Sequence, residues 1–221
     1  MASEEAEAAN YSSYADHTIA AFTTALASGA PAPGGGAAAA LVAALAAALA
    51  EMMAQFTLGR PKYAEADERA RAISARCEEL RAALLDQMDT DARAYQGVRD
   101  AYSRPRSTDD ERAARDEAIQ AALLAATTPP VIVMSLGREI VGLAGEIAAI
   151  GNPSVASDAG CAALLADAAT RCALLNVLAN AKLIRDADTA DGLREHAAAL
   201  ADETTTLAGQ AVATVRERMG V

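Results

Sequence analysis

The chain has 221 residues, of which 52% are hydrophobic and 3% aromatic, and its formal net charge is −11. This length and hydrophobic content can bury one sizeable core, which must be mainly aliphatic because tryptophan is absent. Acids and bases are interspersed along an acidic chain, which argues against a surface for nucleic acid or anionic membrane. We therefore expect no nucleic acid or membrane as partner, and one domain over residues 11–221 after a disordered acidic tail over residues 1–10.

The cysteines and histidines give no sign of a metal site or a disulfide framework. Cys77, Cys161 and Cys172 are an odd number without close pairs, which is typical of reduced thiols in a cytoplasmic protein. His17 and His196 are far apart in the sequence, so neither a zinc motif nor a helical histidine pair is present. We expect a cytoplasmic protein that holds no metal.

In chain order, the spacing of apolar residues predicts helices almost throughout. A short helix over residues 14–27 is followed by a loop and then by a run over residues 37–50 that is apolar all round and is therefore expected at the centre of a bundle. That run is shorter than the roughly 18 residues of a membrane span. The next helix carries a stripe at spacings of three, four or seven: Ile73, Cys77, Leu80, Leu84, Met88, Tyr95, Val98 and Tyr102.

Four further helices are predicted after this one. The first covers residues 109–126, and the second begins at Thr128, which can cap it. Residues 131–136 of the second also fit a buried strand, but the helical spacing continues to Ile150. Ser157 is expected to cap the third, and the last follows a loop at residues 187–192. The expected fold is all-α, an antiparallel helix bundle with long helices in one domain.

The loop before the apolar helix is the first candidate site. A loop that opens a helix presents free backbone N–H groups and the positive end of the helix dipole, which suit an anionic group. The same loop also fits a tight turn that binds nothing. After the helix, Lys62 lies beside Tyr63 and is either an anion anchor or an ordinary surface cation. The residues of the first loop are Pro33, Gly34, Gly35 and Gly36.

Polar residues within apolar stripes are the second sign of a site. Asp91 lies where the stripe of its helix would place an apolar residue. A buried carboxylate must find a cation or hydrogen-bond donors, or its pKa rises, and such groups are enriched in functional clefts. An internal ion pair with an arginine is the alternative. Asn176 and Asn180, one turn apart, suit the edges of a heterocycle, whereas Asp158 also fits an ordinary acid at a helix start.

Together these residues resemble the cyclodeaminase and cyclohydrolase family of folate enzymes, and the resemblance covers nearly the whole chain. It implies an all-helical, usually dimeric subunit with a tetrahydrofolate pocket and with neither a metal nor a bound cofactor. The matching pieces, in order, are Pro33-Gly34-Gly35-Gly36, Lys62-Tyr63, Asp91-Ala92-Arg93-Ala94-Tyr95, Gly151-Asn152, Ser157-Asp158-Ala159 and Asn176-Val177 with Asn180.

The resemblance also implies roles for these residues. Asp91 and Lys62 would be catalytic, and the residues that bind the folate would be Pro33, Gly34, Gly35, Gly36, Tyr63, Tyr95, Asn152, Asp158, Asn176 and Asn180. The expected reaction is hydration of 5,10-methenyltetrahydrofolate to 10-formyltetrahydrofolate by a homodimer. One alternative is a cyclodeaminase that releases ammonia from formiminotetrahydrofolate.

Two other functions are open at this point. A related enzyme with a diverged substrate fits Leu178-Ala179, which stands between the two asparagines where the family usually has Arg-Ile. A helical protein that binds a partner without catalysis fits the amphipathic helices but leaves Asp91 unexplained.

Overall fold

The protein is described from a computed structural model that covers residues 13–221. Within these residues the chain forms α-helices, short 3-10 helices and no strand, which confirms the all-α prediction. The predicted acidic tail, residues 1–10, lies outside the described residues. The α-helices are α1 (Ile19–Leu26), α2 (Gly35–Thr57), α3 (Asp67–Ser103), α4 (Asp109–Ala125), α5 (Thr128–Ile150), α6 (Ala156–Ala181) and α7 (Ala187–Met219).

Helix α2 lies at the centre of the bundle, as its composition predicts. It packs against α3, α5 and α6, and small side chains at these contacts allow neighbouring helices to approach closely. Its fully buried positions include Ala37, Ala40, Ala43 and Ala47. Most of the core is therefore alanine, with larger aliphatic side chains from α3 and α5 filling the remaining space.

Helices α2 and α3 run antiparallel, as do α6 and α7, whereas α2 and α5 run parallel, since the Asn152 N–H directly after α5 donates to Thr57 at the end of α2. Near one end of the α2–α3 pair, the side-chain amide of Gln55 donates to the Ser74 hydroxyl at 2.7 Å. At the other end, Asp91 of α3 lies beside the first turn of α2. Helix α6 runs antiparallel to α7, where the Thr205 hydroxyl donates to Asp167 at 2.7 Å. The long helices therefore place their ends at two ends of one bundle, and these ends hold the loops that carry the predicted motifs.

Two predicted helix starts are wrong. Ser157 does not cap α6, because α6 already begins at Ala156, and Ser157 lies in its first turn. Thr128 is the first residue of α5 and follows the N-cap Thr127, whose side chain makes no capping hydrogen bond. The strand alternative for residues 131–136 is also wrong, since α5 continues through them.

Two other predicted segments differ from the structure. The predicted helix over residues 14–27 is divided into a 3-10 helix, Tyr14–Asp16, and α1. The predicted loop at residues 187–192 is helical, because the Asp186 side chain accepts a hydrogen bond from the Thr189 N–H at 2.8 Å and caps α7. The start of α7 is therefore set by a capping side chain that the apolar spacing does not reveal.

Three helical stretches of the described chain are long and apolar enough, by length and composition alone, to cross a membrane: Gly35–Thr57, Asp109–Ile150 and Pro153–Ala181. The prediction that the apolar run is too short for a span is therefore wrong, because α2 extends beyond residues 37–50 at both ends. In the most apolar window of α2, 56% of the residues are buried inside the bundle. The rest of this apolar surface is directed outward, where nothing in the described chain covers it.

Candidate functional site

A cavity of about 320 Å³ lies at the end of the bundle where α2 begins. It is bounded by the loop before α2, the C-terminal part of α3, and the C-terminal ends of α4 and α6. Seven residues singled out in the sequence lie in or beside it. The predicted residues that line it are Gly34, Gly35, Gly36, Asp91, Tyr95, Asn176 and Asn180. Pro33, in the same loop, is buried.

The carboxylate of Asp91 lies against the start of α2. A Cβ atom placed on Gly36 would lie 2.0 Å from Asp91 Oδ1 and 2.6 Å from Oδ2, so only glycine allows this approach. The Ala37 N–H, in the first turn of α2, donates to the carboxylate. The free N–H groups predicted to hold an anionic ligand thus face an anion of the chain itself.

Burial raises the pKa of Asp91, and the hydrogen bond from Ala37 acts in the opposite direction but more weakly. No lysine or arginine within residues 13–221 forms an ion pair with Asp91. The structure therefore does not support the alternative of an ion pair between Asp91 and an arginine within the described residues. Asp91 is a partly buried carboxylate, open to a cavity and without a counter-ion in the described part of its own chain.

The two asparagines of α6 flank the cavity and differ in their hydrogen bonds. The Asn176 side chain lies beside Gly35, and its NH2 group donates to the Cys172 carbonyl at 2.9 Å. The Asn180 NH2 group donates to the Ala126 carbonyl at 2.8 Å, next to the C-terminal end of α4. Each amide is therefore held in place through its nitrogen, and its carbonyl oxygen is available to accept a hydrogen bond from a ligand.

Tyr95 is placed differently from the sequence prediction. The stripe on α3 predicts it on the packed face, but 46% of its surface is exposed, and it lines the cavity. Tyr102 is exposed as well, at 45%. The stripe is buried from Ile73 to Met88 and then leaves the core, because α3 extends beyond the start of α2.

The other predicted site residues lie at the opposite end of α2. There the Tyr63 hydroxyl donates to Asn152 Oδ1 at 3.1 Å, and the Asn152 side-chain amide donates to the Phe56 carbonyl at 3.3 Å. Lys62 is exposed, with its ammonium 5.5 Å from the centre of the Tyr63 ring. Asp158 is in the first turn of α6 at this same end.

Asn152 makes the most hydrogen bonds among the predicted site residues at this end of α2. It is 5% exposed, and its side-chain oxygen also accepts a hydrogen bond from the Ser154 N–H at 3.1 Å. Its backbone N–H donates to the Thr57 hydroxyl at 3.0 Å. These bonds join the end of α2 to the connection between α5 and α6. These bonds give the Gly151-Asn152 motif a structural role that requires no ligand.

Asp91 and Lys62 are not brought together within one chain. The 23 residues of α2 separate them, and at about 1.5 Å per residue this is a distance of about 34 Å. The predicted pair of catalytic groups therefore does not form inside a single subunit. The sequence could not reveal this, because order along the chain does not tell which end of a helix a loop reaches.

Several residues that line the cavity were not predicted from the sequence. They are mostly apolar and have the same periodicity as core residues, so nothing in their pattern distinguishes them. The sequence could have indicated only the residues on α3, because they lie near Asp91 on the same helix. The residues in question are Pro31, Ala32, Ala92, Ala94, Val98, Leu123, Ala126 and Leu183.

Comparison with known proteins supports one family. The sequence model of the family described as formiminotransferase-cyclodeaminase matches residues 18–199, most of the chain. The chain belongs to this family. It is 42% identical over 171 residues to the methenyltetrahydrofolate cyclohydrolase of Methylorubrum extorquens, across 77% of this chain and 82% of that protein. The resemblance inferred from the motifs is thereby confirmed.

Two further relatives of this formiminotransferase-cyclodeaminase family member extend the comparison. The formimidoyltransferase-cyclodeaminase of Rattus norvegicus is 32% identical across 92% of this chain, which spans 38% of the rat protein. The crystal structure of formiminotetrahydrofolate cyclodeaminase from Thermotoga maritima matches with a TM-score of 0.77 and 29% identity, across 93% of this chain and 96% of that one. The helical fold is therefore that of a cyclodeaminase.

Among the described residues, no group of three or more His, Cys, Asp and Glu side chains lies close enough together to hold a metal ion. The three cysteines are free thiols, with Cys77 buried and the other two exposed.

Proposed function

We propose that this chain is a methenyltetrahydrofolate cyclohydrolase, which hydrates 5,10-methenyltetrahydrofolate to 10-formyltetrahydrofolate. The 42% identity to an enzyme of that name supports the substrate. The observation that carries the chemistry is Asp91, a partly buried carboxylate that borders a cavity and has no counter-ion among the described residues of its own chain. This carboxylate would attract a cationic substrate into the cavity.

The reaction adds water to the carbon that bridges N5 and N10. The substrate carries one positive charge over this N–C–N unit, and a carboxylate beside it stabilises the charge and attracts the substrate. Asp91 accepts a proton as water attacks the bridge carbon, and a neutral tetrahedral adduct forms. The bond from carbon to N5 then breaks, N5 receives a proton, and the carbon becomes the formyl group on N10. The net balance is one water consumed and one proton released.

The pKa of Asp91 fits this role. Burial raises it above the ordinary value of 3.8, and a base becomes more effective as its pKa approaches the working pH. The bridge carbon is already cationic and needs no Lewis acid to accept water, and the reaction has no redox step, so we expect the chain to work without a metal or a bound cofactor. Treatment with a chelator should leave turnover unchanged.

The asparagines and the rim of the cavity would orient the substrate. The free carbonyl oxygens of Asn176 and Asn180 can accept hydrogen bonds from the N–H edge of a pterin ring. Tyr95 offers an exposed ring at the mouth, against which an aromatic part of the ligand can stack. The backbone of Gly34 to Gly36 lines one wall of the cavity and admits the ligand closely because it has no side chains.

Turnover of methenyltetrahydrofolate by the pure protein, followed by its ultraviolet absorbance, tests the proposal. Asp91→Asn removes the base and should lower the rate by about 10²-fold to 10⁴-fold without unfolding the protein. Asp86→Asn, an exposed acid on the same helix, is the charge-matched control. Wild-type turnover by a folded Asp91→Asn enzyme would overturn the role of Asp91.

A second candidate function is formiminotetrahydrofolate cyclodeaminase, favoured by the structural match to an enzyme of that name over 93% of the chain. In that reaction N10 attacks the formimino carbon on N5, and ammonia leaves. The same carboxylate could act on a similar tetrahedral intermediate. Assay of both substrates under identical conditions gives the ratio of the two activities, and a higher kcat/KM on formiminotetrahydrofolate would reverse our assignment.

We also propose that the enzyme is a homodimer. Large apolar side chains on one face of the bundle are exposed, notably Leu45 at 51%, Leu164 at 55% and Leu175 at 67%. Contiguous apolar surface of this kind is typical of an interface between subunits. Sedimentation at micromolar concentration should give twice the subunit mass.

A further inference from the structure

The outward face of α2 carries an apolar stripe with the spacing of a coiled coil. Its residues recur at alternating intervals of four and three, which is the pattern of a helix that packs against another helix along its length. None of them is fully buried within the chain. We call this set the α2 stripe, and it consists of Ala38, Val42, Leu45, Leu49, Met52 and Phe56.

Helix α6 continues the same apolar surface. Between it and α2 runs a groove of about 460 Å³, whose lining residues include Val42, Ala168, Cys172 and Leu175 and carry no charge. Gly35 and Asn176 belong both to this groove and to the cavity that contains Asp91. A helix that covered the α2 stripe would therefore reach the edge of the Asp91 cavity.

The charged side chains nearest the two ends of the α2 stripe have opposite signs. At the start of α2, Asp91 is the one charged side chain among the described residues that line the cavity. At the other end, the Arg60 guanidinium lies over the ring of Phe56, 5.9 Å from its centre, and Lys62 follows two residues later. Antiparallel packing of two α2 helices brings opposite charges together, whereas parallel packing brings like charges together.

We propose that a second copy of this chain packs antiparallel on the α2 stripe and that Lys62 of the partner subunit completes each Asp91 cavity. This inference rests on the proposed function for its chemistry but not for its geometry. With the twofold axis between Leu45 and Leu49, Val42 of one subunit faces Met52 of the other. The same register sets the partner's end of α2 beside Gly34 to Gly36, because a twofold interface pairs each residue reciprocally.

The composite site explains two features of the single chain. Asp91 has no cation among the described residues of its own subunit, and Lys62 is about 34 Å away by the length of α2. Burial raises the pKa of Asp91, and a lysine from the partner would limit that rise, so that the carboxylate keeps the ionised form that accepts a proton from water. Lys62→Met should therefore move the acid limb of the pH profile of kcat/KM to higher pH, and an unmoved limb would contradict this role.

Cross-linking tests the geometry without any assay of activity. Exposed Cys161 and Cys172 are first changed to serine, and Val42→Cys and Met52→Cys are then made separately in that background. The antiparallel dimer predicts covalent dimers in a mixture of the two variants and few in either variant alone. Covalent dimers in each variant alone would indicate parallel packing. No cross-link in the mixture would indicate that something else covers the stripe; either result overturns the proposal.

Complementation tests the shared site. Asp91→Asn and Lys62→Met enzymes are mixed under conditions that exchange subunits and assayed on the acid limb, at a pH where the wild type is active and Lys62→Met is not. Half of the dimers become mixed, and each mixed dimer has one intact site of two, so activity should recover to about a quarter of wild type. If both groups acted within one subunit, no recovery would occur. If the wild type turns over neither folate, the proposed function fails, while the cross-linking result still decides the arrangement of the dimer.

Discussion

The two ends of α2 are both marked in the sequence by glycine, proline and polar residues, yet they are built for different tasks. At the first end, Gly36 makes room for the Asp91 carboxylate, which borders an open cavity. At the second, a Cβ on Gly151 would lie 2.8 Å from the Thr57 hydroxyl, which is closed into a hydrogen-bonded network with Asn152.

The two ends of α2 differ in whether their polar groups are paired by hydrogen bonds within the chain. At the second end, the Thr57 hydroxyl donates to the Met53 carbonyl at 2.9 Å and accepts from the Asn152 N–H, and Asn152 uses its side chain in three further hydrogen bonds. At the first end, Asp91 receives one backbone hydrogen bond and, within the described chain, no ion pair. Groups that satisfy one another stabilise a fold, and a buried charge left short of partners is a candidate for chemistry.

The largest expected effect separates two adjacent glycines at the first end. Gly36→Ala would set a methyl group 2.0 Å from Asp91 Oδ1, which must displace the carboxylate. We expect a loss of turnover close to that of Asp91→Asn, about 10²-fold to 10⁴-fold. Gly35→Ala is the comparison: its methyl group would lie at an ordinary 3.8 Å from Asn176 Nδ2 and leaves Asp91 in place, so any loss there should appear in KM through the cavity wall. Equal kcat in the two variants would mean that the position of Asp91 is unimportant.

At the second end the expected effect is on stability. Thr57→Val leaves the buried N–H of Asn152 without its acceptor, which should lower the free energy of unfolding by about 1–3 kcal/mol. Thr57→Ser keeps the hydroxyl and serves as the control. Urea denaturation of the three proteins measures the difference. A Thr57→Val protein as stable as Thr57→Ser would show that the network contributes little.

A smaller effect should appear in the pH dependence of stability at the first end. Because the pKa of Asp91 is raised in the folded protein, its ionisation destabilises the fold as pH rises through that pKa, and below the ordinary value of 3.8 the effect is absent. Asp91→Asn removes this contribution, so its Tm relative to the parent should rise between acid and neutral pH. The comparison is best made with Lys62→Met as the parent, where no partner cation offsets the charge. A Tm difference independent of pH would contradict the raised pKa.

Much of the site is predictable from the sequence because each of these residues carries a local signal. Asp91 interrupts an apolar stripe, and Gly34 to Gly36 precede an apolar helix, so the order of residues alone is enough to single them out. The apolar wall of the cavity is not predictable in this way, because Leu123 and Leu183 have the spacing of ordinary packed residues. Asn152 carries a motif signal but is held entirely by its own chain.

The sequence by itself determined the all-α class, the central position of α2 and the family, since periodicity, alanine content and the order of motifs are all properties of the chain read locally. Only the tertiary structure decided that Asp91 lies against Gly36 and that Lys62 lies at the far end of α2. The physical reason is that a helix fixes the distance between the loops at its two ends, while the relative direction of packed helices fixes which loops meet. Motifs that are close in order along the chain can therefore belong to opposite ends of the molecule.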